Sequence, residues 1–432
     1  MDENTGTLNQ ERETHEGWQK KTALFLSSQS LSLFGSMLVQ YAIIWYVTLT
    51  TQSGVVLTIS TISGFLPQIA ISLFAGVWAD RYPRKFLIIA ADLLTAVSTL
   101  ILAIFFLFGY RELWLIFLVS GIRSIGAGIQ MPAVSALLPQ IVPADRLMKV
   151  NSINGTIQPF VMIVTPVLAG VLLSFSRLEA IFFIDIVTAI LAVGLLLILK
   201  VPPLARVEAE VKTGYFADFK AGLVYIGQNR VIKNLLVFFA FVFFLVVPVA
   251  FLSPLLVTRS YGTEVWRLTA NEVTFFGGSI LGGVIMTLWG GFDNRFRTIG
   301  LSCILWAVIF TALGLANNFN VYLVFMTLAG IPMPFWGAST TTLLQEIVVP
   351  EMQGRVFGVQ SLIMNTVMPV GMLFFGPVAD LVSIEVLLIV SSVLMAIPGL
   401  WIFFYRQPVI AGSPPQASDD QGARVYDASP GD

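Results

Sequence analysis

Residues 55–79 of this chain carry no charged side chain, and residues 86–109 carry one, Asp92. Each run exceeds the ~20 apolar residues that a helix needs to cross the roughly 30 Å hydrocarbon core of a bilayer. The pattern repeats along the chain. Twelve candidate spans fall at 22–47, 55–79, 86–109, 113–138, 150–175, 178–199, 231–257, 269–291, 298–316, 320–345, 355–380 and 384–405. In lipid every backbone polar group needs an internal partner, so only helices and closed barrels cross. Continuous apolar runs exclude the short alternating strands of a barrel. The fold class is therefore an all-α membrane protein. Charged residues make up 11% of the chain, against about 25% in soluble domains.

Charge placement orients the spans. With both termini on the inner side, nineteen of the twenty-four Lys and Arg fall in inner segments. Arg81, Arg84 and Lys85 are among them. Four fall outside (Arg111, Arg177, Arg259 and Arg267), and Arg123 alone stays within the membrane. Short loops rich in Lys and Arg remain cytoplasmic, so this asymmetry predicts a multi-pass protein of the cell membrane with cytoplasmic termini. It divides the chain into a tail (1–21), a first six-helix bundle (22–199), a central loop (200–230), a second six-helix bundle (231–405) and a polar tail (406–432) predicted to be disordered. Within the loop, Phe216–Ile226 reads as an amphipathic surface helix. Residues 1–19 are polar and acidic, unlike a cleaved signal peptide. Cys303 is the only cysteine and His15 the only histidine, which argues against a disulfide framework and a histidine-based metal or catalytic site. No nucleophile–base pair stands out, so the chain does not read as an enzyme, and no cofactor or nucleic-acid partner is implied.

The two bundles repeat one another. Gly76-Val77-Trp78-Ala79-Asp80-Arg81-Tyr82-Pro83-Arg84-Lys85 is a charged knot between spans 2 and 3. A weaker copy, Gly290-Gly291-Phe292-Asp293-Asn294-Arg295-Phe296-Arg297, follows 213 residues later. Leu137-Leu138-Pro139-Gln140-Ile141-Val142-Pro143 recurs as Leu343-Leu344-Gln345-Glu346-Ile347-Val348-Val349-Pro350, and Pro166–Gly170 recurs as Gly376–Asp380. Two pseudo-symmetric six-helix bundles with a site between them near the midplane form a transporter architecture. The knot, Gly-x-x-x-Asp-Arg-x-x-Arg-Lys, resembles the loop 2–3 signature of the major facilitator superfamily, with Pro83 where that family has glycine. The resemblance implies a gating loop made of Gly76, Asp80, Arg81, Arg84 and Lys85. In it the aspartate sits against the N-terminus of span 11, where unpaired N–H groups favour an anion. Asp92 is assigned to this loop as a structural partner.

Arg123 lies about ten residues into span 4, near the bilayer centre. An arginine there costs ~2.5–3.5 kcal/mol on insertion scales unless it is paired or faces water. Arg123-Ser124-Ile125-Gly126-Ala127-Gly128 resembles the span 4 motif of proton-coupled members of the superfamily, which implies a part in proton coupling. Two acids within the spans are candidates for its partner. At 1.5 Å per residue, Asp185 lies ~10 Å from the outer end and Arg123 ~15 Å, while Asp92 lies ~9 Å from the inner end. The expected pair is Arg123–Asp185, with Asp185 as proton carrier. Span 1 carries no acid, a departure from many drug–proton antiporters.

At 100° per residue, Gln29, Ser36 and Gln40 fall within about 40° of one line on span 1, and Arg123 and Gln130 share a face of span 4. In the superfamily spans 1, 4, 7 and 10 line the cavity. The resemblance therefore adds Phe238, Phe241 and Phe244 of span 7, with Met333, Trp336 and Thr340 of span 10. An apolar, aromatic cavity with a few amides suits a bulky amphiphile. Thr165-Pro166-Val167-Leu168-Ala169-Gly170 resembles the Gly-Pro-x-x-Gly-Gly element of superfamily exporters. Ser63–Pro67, Ile122–Gly126, Pro132-Ala133, Ile184-Asp185 and Gly354–Phe357 together are similar to the macrolide-efflux branch of the drug–proton antiporters. No Gly-x-x-x-x-Gly-Lys-Ser/Thr sequence is present, so an ion or substrate gradient supplies the energy. The expectation is a monomeric, proton-coupled exporter of bulky amphiphilic drugs such as macrolides, surrounded by lipid. A siderophore or metabolite exporter is the alternative within transport, and a non-transporting receptor or assembly subunit the alternative outside it.

Overall fold

The computed structural model describes residues 17–201 and 215–405. Among the described residues, twelve helical segments are long and apolar enough to cross a membrane. Spans 1 to 6 are Trp18–Thr51, Gly54–Arg81, Arg84–Leu107, Leu113–Ile141, Leu147–Phe175 and Leu178–Ile198. A linker helix, Tyr215–Gln228, precedes the second bundle. Spans 7 to 9 are Arg230–Ser260, Val265–Trp289 and Arg295–Gly314. Span 10 is two helices, Phe319–Gly330 and Pro332–Ile347, and spans 11 and 12 are Pro350–Val378 and Ile384–Phe403. Residues 1–16, 202–214 and 406–432, which include most of the N-terminal tail, the first part of the expected central loop and the C-terminal tail, lie outside the described residues.

Local chemistry sets the ends. Ser53 accepts the Val56 N–H at the start of span 2, and Asn229, Asn294 and Asn318 do the same for spans 7, 9 and 10. Gly290 and Gly291 adopt φ of 77° and 81° and end span 8, a backbone conformation that favours glycine. Span 10 breaks where Pro332 opens its second helix, because proline cannot donate to the turn before it.

The bundles are related by pseudo-symmetry. Span 1 packs on spans 5 and 6, span 2 on span 4, and span 3 on spans 4 and 6. Adding six to each number gives the second bundle: 7 on 11 and 12, 8 on 10, 9 on 10 and 12. Across the bundles, span 2 meets span 11 and span 5 meets span 8. The linker helix lies on span 11, with Gly222 against Arg355. Large apolar side chains such as Val97, Ile101, Ile190, Val308 and Ile397 are exposed around the outside. In a bilayer this belt is solvated by lipid tails.

The two bundles meet at one end and part at the other. At the end carrying loop 1–2, Gly54 and Gly376 abut one another's helices, and a methyl group added at Gly170 would strike Thr269 Oγ1. At the opposite end, Gly76, Gly155, Gly354 and Gly358 of the same spans 2, 5 and 11 face open space. The first half of span 5 is exposed almost all round there, including Asn151, Ser152, Thr156 and Gln158. The result is a cleft closed at the loop 1–2 end and open at the knot end.

Candidate functional site

The charge in the first bundle is enclosed by spans 1, 3, 4 and 6. Arg123 Nη1 lies 2.6 Å from Asp185 Oδ2, with the two side chains 8% and 3% exposed. Thr99 donates to the same Asp185 oxygen at 2.9 Å and accepts from Arg123 Nη1. Arg123 Nη2 donates to the Ser36 carbonyl at 3.3 Å. Gly35 lets span 1 approach this closely, since a methyl there would run into Thr188 and Asp185. Breaking such a pair leaves an uncompensated charge in a low-dielectric site, at a cost of ~3–5 kcal/mol.

A second polar cluster lies two helical turns nearer the open end. Ser32 Oγ and Gln130 Nε2 donate to Asp92 Oδ1 at 2.6 and 2.9 Å. Gln130 also lies 3.4 Å from Gln29 Oε1 and from Ser32 Oγ. Asp92 Oδ2 and Gln29 Nε2 are buried with no hydrogen-bond partner among the described residues. Gln29 and Ser36, Asp92 and Thr99, Arg123 and Gln130 are each seven residues apart, about two turns and ~10 Å on one face. The side chains form a polar column along the inner face of the first bundle.

This corrects the assignment of Asp92 to the knot. Lys85 donates instead to the carbonyls of Leu197 and Leu199 at the end of span 6, and Arg84 to those of Ala79 and Ala136. Helix C-termini attract cations, while Asp92, a further two turns into span 3, finds uncharged donors at its own level. Gly76 is half-buried and Arg81 exposed at the open end of the cleft. The side chain of Asp80 lies outside what is described.

The cavity residues separate. Gln29, Ser36, Gln40 and Gln130 are half-buried on the inner face of the first bundle. Phe241 and Met333 are 43% and 47% exposed. Trp336 is not a cavity wall. It is 5% exposed and boxed by Phe238, Phe239, Phe243 and Trp306, with ring centroids 5.2–5.9 Å away. The break in span 10 resets the azimuth of its second helix and turns the indole into the core of the second bundle.

At the closed end the geometry uses residues that sequence reasoning passed over. Asp380, just beyond span 11, accepts the Gly54 and Val55 N–H groups at 2.7 and 3.0 Å and the Ser53 hydroxyl at 2.8 Å. Arg259 Nη2 reaches Asp380 at 2.6 Å and the Gln52 carbonyl at 2.5 Å. A carboxylate from the second bundle thus caps the N-terminus of a first-bundle helix. Partial burial pushes this carboxyl up, but the two N–H groups, Ser53 and Arg259 outweigh it and bring it down to about 2. Thr165 and Pro166 are buried in span 5, and Gly170 forms the contact with span 8.

Sequence reasoning also missed Glu272. Span 8 begins at Val265, a turn earlier than expected, which moves Glu272 from the boundary into the membrane. The rule that found Arg123 would have found it had the boundary been right.

A profile of the Major Facilitator Superfamily matches residues 24–365. Macrolide efflux protein A of Streptococcus pyogenes is 29% identical over 385 residues, covering 89% of this chain and 95% of its own. Macrolide efflux protein A of Enterococcus faecalis is 30% identical over 322 residues, covering 74% and 99%. Among solved structures, a mutant of the nucleoside transporter NupG superposes with a TM-score of 0.70 at 14% identity, covering 89% of this chain and all of that one.

Proposed function

The chain belongs to the Major Facilitator Superfamily and is a multi-pass membrane transporter, and from that premise we propose that it is a proton-coupled antiporter exporting bulky amphiphilic compounds, macrolides among them, by alternating access. The observation that carries the reading is the one-ended cleft beside the buried Arg123–Asp185 pair. The positive-inside rule puts the open end and both termini in the cytoplasm, so substrate enters from the cell interior or inner leaflet. The names of the relatives support macrolides as one substrate class.

Asp185 carries the proton. While ionised it holds Arg123, Thr99 and, through Arg123, the backbone of span 1 at Ser36. Protonation removes the charge that Arg123 answers and loosens span 1 from spans 4 and 6. A proton bound from outside thereby changes the relative energies of the two cleft states, as differential binding must if it is to shift an equilibrium. The protein works as a monomer, because the cleft is complete within one chain.

The test is the purified chain in proteoliposomes with an imposed pH gradient and a radiolabelled macrolide. Uphill movement that follows the pH gradient and is abolished by collapsing it, or by Asp185→Asn, supports the reading. Uphill movement driven by sodium alone, or undiminished in Asp185→Asn, overturns the proton assignment. Siderophores and cationic dyes in the same vesicles separate drug export from the export of other amphiphiles.

A further inference from the structure

Glu272 is an intramembrane carboxylate to which the mechanism above gives no task. It lies seven residues into span 8, ~10 Å from that helix's outer end at 1.5 Å per residue. Acids at such depth face protein or water and are normally paired. Glu272 is not paired in this way. Among the described residues no Lys or Arg nitrogen comes within ion-pair distance of it, and its hydrogen bond is a 3.3 Å contact from the Asn271 amide. That amide is already committed. Asn271 is buried, accepts the Tyr322 hydroxyl at 2.8 Å and donates to Ser253 Oγ at 3.3 Å. The neighbour is locked, and most of the carboxylate's accepting capacity is left over.

The position of Glu272 gives that capacity a direction. Thr269, one turn earlier, presses on Gly170 of span 5, so this face of span 8 looks across to the first bundle. Glu272 is half-buried one turn deeper, just below the closure. Phe65 of span 2 meets Phe251 of span 7 across the same divide, with ring centroids 6.1 Å apart. An anion with spare acceptor sites at the blind end of a cleft is built to receive an organic cation. The carboxylate supplies the counter-charge, and a charge-assisted hydrogen bond favours an ammonium over a neutral group.

We propose that Glu272 is the cation-recognition site of the cleft and takes the protonated amine of an amphiphilic substrate. The assignment rests on the export reading and narrows it: substrates with a basic amine are preferred over uncharged ones of the same shape. Glu272 is a specificity-determining residue here, distinct from the proton-carrying Asp185.

The experiment compares two probes in proteoliposomes of the full chain: a macrolide bearing a tertiary amine, and the same macrolide with that amine converted to its N-oxide, which has no net charge. Glu272→Gln keeps the shape and removes the charge. The expected result is a fall of about tenfold or more in transport of the basic macrolide, with the N-oxide unchanged and Glu272→Asp retaining the preference. Unchanged N-oxide transport also shows that the variant is folded. Equal loss of both probes, or loss of neither, overturns the proposal and leaves export standing. If the unaltered chain moves neither probe, the export reading fails and takes this one with it.

Discussion

Removing the Asp380 carboxylate should open the closed end of the cleft. Asp380→Ala deletes the partner of two N–H groups at the start of span 2, of the Ser53 hydroxyl and of Arg259. The ion pair is partly solvated, its side chains 28% and 26% exposed, so it contributes about 0.2–1 kcal/mol. An anion at a helix N-terminus adds about 0.3–1 kcal/mol, and up to ~2 in favourable geometry. The latch is therefore worth roughly 1–3 kcal/mol, about 5–150-fold in the ratio of closed to open. Asp380→Asn keeps an acceptor and loses the charge, so its effect is smaller. Spin labels at Tyr110 and Asn317, exposed in loops at the closed end of the first and second bundles, report the separation, with Cys303 replaced by alanine. A second, longer distance population is expected in Asp380→Ala. The pH dependence has a definite sign. Because the carboxyl is held at about 2, below its ordinary 3.8, the latch is intact above the ordinary value and is lost only as pH falls through about 2. The acidity of a physiological gradient therefore leaves it closed. Identical distance distributions in the unaltered chain and Asp380→Ala would refute this account of the closure.

Three further outcomes follow from the same geometry. Arg123→Ala, which strands Asp185, should lower stability by ~3–5 kcal/mol, seen as a depressed melting temperature in detergent, and an Arg123→Asp/Asp185→Arg exchange should recover part of it. Gly170→Leu should push span 5 from span 8 and raise labelling of a cysteine placed at Thr269 by an impermeant reagent added from the closed end; unchanged labelling would remove Gly170 from the closure. Trp336→Ala should cost ~3–5 kcal/mol of stability, and what survives folding should keep substrate affinity, because the indole fills a core and lines no cavity.

The spans were legible because lipid reduces folding to one dimension: charge cannot stay in the core, so uncharged runs mark the crossings. The same one dimension brought Arg123 and Asp185 to one level, since depth alone decides which charges across a bundle can meet. Azimuth and register were not legible to that degree. Asp92 was assigned by charge to the cations of the knot, whereas Gln130 and Ser32 reach it first, and uncharged donors do not stand out in a span. Trp336 follows a helix break that no wheel drawn through span 10 respects. A boundary error of one turn hid Glu272.

The latch was the least legible feature, because its partners stand 326 residues apart in separate bundles. Its logic is nonetheless written twice. Here a carboxylate just past the C-terminal end of span 11 caps the N-terminus of span 2. Asp80 stands near the C-terminal end of span 2, and its resemblance to the superfamily signature directs it to the N-terminus of span 11. On that resemblance, each helix of the span 2–span 11 pair would give an acid to the other's start, at opposite faces of the membrane. On the export reading, one contact would form when the cleft opens toward the knot and the other when it closes there. On the export reading the two acids are alternate clasps of one hinge. Weakening Asp380 and weakening Asp80 should therefore shift the same equilibrium in opposite directions, and a double variant should return toward the starting ratio. Shifts in the same direction would mean that the two contacts do not oppose one another.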